Sequence, residues 1–177
     1  MLREKYLLEK KSQYLVRTKC SNACGIELTV SLLDIDPFLT SQQRLDRIPS
    51  QWGFKCSCSL CSSSEVNLLA SDKRLKSILD LEFQLRNLSR ERTANIETAE
   101  KLISLYKQER FETPLAKAYV FAALEHIYVG NRRMARKFAA LAVEMTSLWY
   151  GPHSEDVKSM DSIAKEPERH RHWKLFS

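Results

Sequence analysis

The sequence predicts a mostly α-helical protein: a small β-containing segment at residues 25–64, then an antiparallel helical domain at 71–165. Three observations predict it. From Ser71 onward, apolar residues recur every three or four positions almost without a break. Over residues 27–33 they alternate every second position instead. Between the two patterns lie three of the five cysteines, Cys56, Cys58 and Cys61, spaced C-x-C-x-x-C. Residues 1–24 remain unassigned to a domain, and 166–177 form a basic tail.

A chain of 177 residues with 44% hydrophobic and 28% charged residues can bury a core of its own. No apolar run reaches the ~20 residues of a membrane span. Met1-Leu2-Arg3-Glu4-Lys5 lacks the apolar run of a secretory signal. An intracellular compartment, cytoplasmic and/or nuclear, is the expectation, and its reducing conditions favour thiolates on a metal over disulfides. The formal net charge of +6 is concentrated at Arg132-Arg133, Arg136-Lys137 and residues 169–174. These read as a solvated helix face and a frayed tail. No aromatic-rich RNA-binding signature or helix-turn-helix pattern accompanies them, so nucleic acid is not indicated.

In chain order, residues 1–20 give a charged, weakly amphipathic helix candidate with Tyr6, Leu7, Tyr14, Leu15 and Val16 as its apolar members. A turn-like stretch follows at Cys20-Ser21-Asn22-Ala23-Cys24-Gly25. Leu28, Val30 and Leu32 then alternate with Thr29 and Ser31, the period of a half-buried strand, which Pro37 stops. Thr40 followed by Gln43 signals a helix start, and Pro49 sets the expected end of that helix near Ile48.

Ser71 or Asp72 can cap a helix carrying Ile78, Leu81, Leu85 and Leu88. Ile96, Ala99, Leu102 and Leu105 mark a second. Pro114 suits the first turn of a third, with Leu115, Tyr119, Ala122 and Ile127 on one face. Gly130-Asn131 ends it. Met134, Phe138, Leu141, Met145 and Leu148 mark a fourth, and Val157, Met160 and Ile163 a fifth after Tyr150-Gly151-Pro152. Short connections predict antiparallel neighbours. With Gly130 as the turn glycine, Tyr119, Ala123, Ala135 and Ala142 stand at the contact positions of a tetratricopeptide-type helix pair, and Ala139 where a phenylalanine is usual. One repeat fits; the same small residues would serve a plain helical bundle.

The cysteine spacing suits a metal better than a disulfide network. Zinc takes about four ligands in a tetrahedron, and closely spaced cysteines on a tight turn supply several. Cys56, Cys58 and Cys61 are the expected ligands and the fourth stays open. Eight strand residues span about 26 Å at ~3.3 Å each, so Cys24 must fold back far to reach the others. Cys20 would need the N-terminal segment to loop round. His126 and His153 lie in the helical region, and water is a further alternative.

Read together, residues 25–34, Gly25-Ile26-Glu27-Leu28-Thr29-Val30-Ser31-Leu32-Leu33-Asp34, resemble the strand G-E-E-L-T-I-S-Y-x-D near the end of SET domains. Residues 41–47 resemble the short helix that follows it. Residues 52–61 resemble the post-SET F-x-C-x-C-x-x-C zinc motif, in the same order and spacing. The helical remainder resembles the tetratricopeptide-like C-terminal region of SET-and-MYND-type proteins, especially fungal ones. The resemblance implies a protein-lysine methyltransferase lineage that uses S-adenosylmethionine. It places Phe54 where a ring lies against the cofactor and Trp52 on the wall of the target-lysine channel, where an apolar tube favours the neutral amine. It makes Cys56, Cys58 and Cys61 zinc ligands, and the partner a protein substrate or peptide.

The departures bear on activity. Leu32 stands at the family's catalytic tyrosine and brings no hydroxyl. The N-H-S-C-x-P-N segment, which supplies cofactor contacts and the fourth zinc cysteine, is missing from the sequence, as is the glycine-containing cofactor motif. The expectation is therefore an N-terminally truncated, catalytically incomplete family member, inactive alone. The alternative is a non-catalytic helical interaction module with a structural zinc knot.

Overall fold

Thr40 opens the first helix with the reciprocal cap its sequence predicts. Its hydroxyl accepts from the Gln43 backbone N–H, and Gln43 Oε1 accepts from the Thr40 N–H at 2.8 Å. The computed structural model describes residues 38–89 and 92–176, and of Trp52 the backbone alone. The helix candidate at 1–20, Cys20, Cys24 and the expected strand with Leu32 lie outside the described residues. Among the described residues there is no strand, and the fold is mostly helical. Its helices are α1 (Ser41–Trp52), α2 (Glu65–Arg86), α3 (Ile96–Gln108), α4 (Glu112–Tyr128), α5 (Arg132–Tyr150) and α6 (Glu155–Lys165), followed by a 3-10 turn at Pro167–Arg169. Among them, none is long and apolar enough to cross a membrane.

Two boundaries differ from expectation. Helix α1 runs through Pro49 to Trp52 rather than ending near Ile48. Proline forfeits one helical hydrogen bond, but Ile48 is buried and the Gly53 N–H donates to the Pro49 carbonyl at 2.9 Å, so the last turn still closes. Helix α2 begins at Glu65, not at Ser71 or Asp72. Both polar residues that might have capped it are spent on tertiary contacts. Ser71 is fully buried and donates to Glu109 Oε2 at 2.7 Å. Asp72 accepts from Ser41 N–H at 2.8 Å and from Ser41 Oγ at 2.7 Å, fixing the start of α1 against α2. Leu88, expected on that helix, lies beyond its end and is exposed.

The remaining helices follow their predicted stripes and each packs on the next in sequence. Asn95 caps α3 with Thr98 as reciprocal partner, and Pro114 sits in the first turn of α4. The turn 129–131 folds α5 back on α4. Ala123, Ala135, Ala139 and Ala142 are fully buried, which lets helices approach closely, and Tyr119 stacks on Phe138 at 6.2 Å. Ahead of α1, Phe38 meets Phe111 edge-on at 5.8 Å and Tyr106 at 6.4 Å, tying the start of α1 to α3 and α4. Burying such side chains contributes about 1.5–3 kcal/mol each.

Buried carboxylates lock these joints. Glu82 on α2 accepts from the Tyr106 hydroxyl, the Lys117 ammonium and Arg86. Burial alone would push Glu82 up, but those donors hold it below the usual carboxylate range. Leaving the buried Glu82 without the buried Tyr106 hydroxyl costs about 1–3 kcal/mol, and losing the more exposed Lys117 or Arg86 costs less.

The basic tail is docked, not frayed. Lys174 N–H donates to the Ile127 carbonyl at 3.0 Å and Phe176 N–H to that of Tyr128 at 3.1 Å. Arg92 lies between the Tyr128 and Phe176 rings, about 5.0 and 5.1 Å from their centres. The Lys174 stem crosses Gly130 so closely that a Cβ there would fall 2.7 Å from Lys174 Cγ. Arg132 pairs with Glu168 at 3.0 Å, and Arg136 Nε donates to the Ala164 carbonyl at 2.9 Å. Part of the basic patch thus holds the chain's own C-terminal segment.

His126 stacks flat on Phe138 at 5.5 Å, 4% exposed, with neither ring nitrogen hydrogen-bonded. Burial lowers its pKa, against an opposing pull from Glu100. A histidine held neutral in the fold contributes stability that is complete above its unfolded pKa of about 6.5 and is lost as pH falls below it. His126→Phe should keep stability near wild type at pH 8 and show a smaller decline between pH 7 and 5 in urea titrations. An unchanged decline would refute this role.

Candidate metal centre

The cysteine loop begins where α1 must stop. Gly53 adopts φ 70°, a left-handed conformation that glycine enters without a Cβ penalty. A Cβ there would meet nothing within 4 Å, so the demand is on backbone conformation, not on space. A tight turn follows. Ser62 N–H donates to the Cys58 carbonyl at 2.9 Å, Ser63 N–H to that of Leu60 at 3.1 Å, and Ser63 Oγ to that of Ser59 at 2.7 Å. The serine-rich sequence after the cysteines thereby braces the turn before α2 begins.

This turn gathers the three predicted ligands. The sulfurs of Cys56, Cys58 and Cys61 all lie within 4.8 Å of one another, and all three are free thiols. Ligands about 2.3 Å from one tetrahedral ion stand about 3.8 Å apart, so closure on a metal requires a contraction of about 1 Å at most. The cluster can bind a metal ion, and its soft donors are compatible with zinc. Among the described residues no histidine or carboxylate joins it. His126 is committed to the α4–α5 core, and His153 is exposed beyond α5.

The thiols are electrostatically unequal. Burial pushes Cys58 up, but the Cys61 N–H (3.4 Å from its sulfur), the neighbouring thiols of Cys56 and Cys61, and the Leu60 N–H bring it below the ordinary 9.0. Cys61 is pushed up to about 11 by burial and by Cys58 and Cys56, with Arg44 pulling the other way. The arrangement favours ionisation at Cys58 over Cys61, and a bound divalent cation would favour the thiolate form of its ligands.

A cavity of about 250 Å³ adjoins the cluster, lined by Arg44, Leu45 and Pro49 from α1 with Lys55, Cys56 and Cys61. Arg44 was not singled out by the sequence, because the spacing that announces thiol ligands says nothing of a cation 17 residues away. Phe54 is exposed just ahead of the cysteines, and Trp52 ends α1. Leu32 lies outside the described residues. No protein-family model, curated protein or solved structure matches this chain.

In metal-free protein at pH 8, Cys58 should be alkylated by iodoacetamide several-fold faster than Cys61, since it is both more exposed and more ionised. Peptide mapping over a time course measures this. Equal rates would contradict the ordering.

Proposed function

We propose that this chain is a catalytically incomplete protein of the SET-domain lineage, in which a post-SET zinc knot anchors a tetratricopeptide-like helical module. The observation that carries the reading is the convergence of Cys56, Cys58 and Cys61 within 4.8 Å, at the junction between the α1 helix and the helical domain. The matching order of capped helix, glycine-phenylalanine turn and C-x-C-x-x-C supports it, as does the close alanine packing of α4 on α5. Zinc fits the donor chemistry: the three cysteines would hold it, and its part would be to fix the loop.

Methyl transfer needs groups this chain does not offer. Leu32 has no hydroxyl with which to orient an amine, and the sequence carries no N-H-S-C segment. Phe54 keeps the position of a cofactor-facing ring, and the cavity beside the cysteines is lined by Arg44 and Lys55 rather than by it. S-adenosylmethionine binding is therefore not part of the proposed activity.

The function left is recognition of a protein or peptide partner. Val66, Leu69, Leu79 and Phe83 on α2 are exposed, with Phe83 at 78% of its full accessibility, and they favour this role.

Purified protein should contain close to one zinc per chain, and Cys58→Ser should lose it together with several degrees of thermal stability. Calorimetry with S-adenosylmethionine should detect no binding. Metal-free protein of unchanged stability would overturn the zinc knot, and micromolar cofactor binding would overturn the non-catalytic reading.

A further inference from the structure

The Arg44 side chain presents an unsolved electrostatic problem. Its Nη1 donates to the Leu39 carbonyl, which fixes the guanidinium at the start of α1. Its Nε and Nη2 are shielded from solvent, and no acceptor meets either in hydrogen-bond geometry. A guanidinium carries five N–H donors and cannot shed its charge, so two buried and unmatched donors are expensive. The same side chain lines the cavity that holds Cys56 and Cys61.

The metal-bound cluster supplies what Arg44 lacks. One divalent ion with three cysteine thiolates carries a single net negative charge, and a thiolate is a hydrogen-bond acceptor. We infer that Arg44 is the charge partner of the metal-thiolate centre, with its unmatched N–H donors directed to the Cys61 sulfur once that sulfur is a metal ligand. This rests on the reading of the three cysteines as a metal site. Arg44 does not touch the ion; it positions and neutralises a ligand that does. Groups in this second layer fix ligand orientation and tune affinity by about 10- to 100-fold.

The device also explains a tie between distant parts of the chain. Arg44 on α1 and Cys61 ahead of α2 line one cavity, and the Ser41–Asp72 hydrogen bonds join the same two helices. Metal binding would then brace the start of α1 as well as the loop. Lys55 stands on the wall of the same cavity and adds a second positive charge nearby.

The test uses the full-length protein, stripped of metal and titrated with Co²⁺, whose sulfur-to-metal charge-transfer band reports on the thiolates. Arg44→Gln and Arg44→Met should weaken Co²⁺ binding about 10- to 100-fold and shift that band to lower energy, because a thiolate freed of an N–H donor is a better electron donor. Arg44→Lys should recover part of the affinity. Thermal melts separate this role from simple packing. Loss of the Leu39 hydrogen bond lowers stability in both states, so the reading is the difference: the variants should lose clearly more stability with metal than without it. An equal loss in both states, or an unshifted band at unchanged affinity, would overturn the assignment to Arg44 while leaving the metal site intact. Absence of thiolate-to-Co²⁺ bands in the wild type would overturn the metal site itself.

Discussion

The Asp72 carboxylate holds the first turn of α1 against α2, and the cysteine loop is the chain that must close between them. Two short hydrogen bonds from Ser41, one from its backbone and one from its hydroxyl, meet both carboxylate oxygens. A negative group at a helix N-terminus also meets the favourable end of the helix dipole. Each hydrogen bond to an ionised partner contributes about 1.5–3 kcal/mol. With α1 anchored at its start and capped by Gly53 at its end, the loop leaves in one direction and returns to Glu65. The three sulfurs meet because the loop is tethered on both sides.

The same device recurs through the helical domain. Glu109, at the end of α3, accepts from Ser71 and Arg74 on α2. Glu82 takes three donors from α2, α3 and α4. Glu125 on α4 takes Arg92, which lies against the Phe176 ring of the tail. Buried carboxylates at helix junctions fix which helix meets which, whereas the alanines between α4 and α5 fix how closely they meet. Arg44 is the inverse case. It is a cation at a junction with part of its donor set unmatched, and it stands beside the thiols that can become anions.

Much of this was legible beforehand. The period of the apolar residues located α3 to α6, because each has one buried face and a clear stop such as Gly130-Asn131. The Thr40–Gln43 pair announced α1. The C-x-C-x-x-C spacing named the three cysteines that the turn does bring together, close enough to bind a metal ion. Propensity failed where tertiary contacts outweighed it. Pro49 did not stop α1 because Ile48 is buried and Gly53 closes the turn after it. Ser71 and Asp72 did not start α2 because their side chains serve Glu109 and Ser41. The docked tail was illegible because its ties, backbone hydrogen bonds to Ile127 and Tyr128 together with the Arg92–Phe176 and Arg132–Glu168 contacts, join residues far apart in sequence, which no local spacing announces. Arg44 was illegible because its relation to the thiols exists only in three dimensions.

The central claim is that Cys56, Cys58 and Cys61 hold one metal ion as thiolates and so fix the junction ahead of the helical domain. X-ray absorption at the zinc edge of the purified protein tests it most directly. The account predicts a shell with at least three sulfurs at about 2.3 Å, and loss of the bound zinc on Cys61→Ser as on Cys58→Ser. A shell of oxygen and nitrogen alone would contradict it.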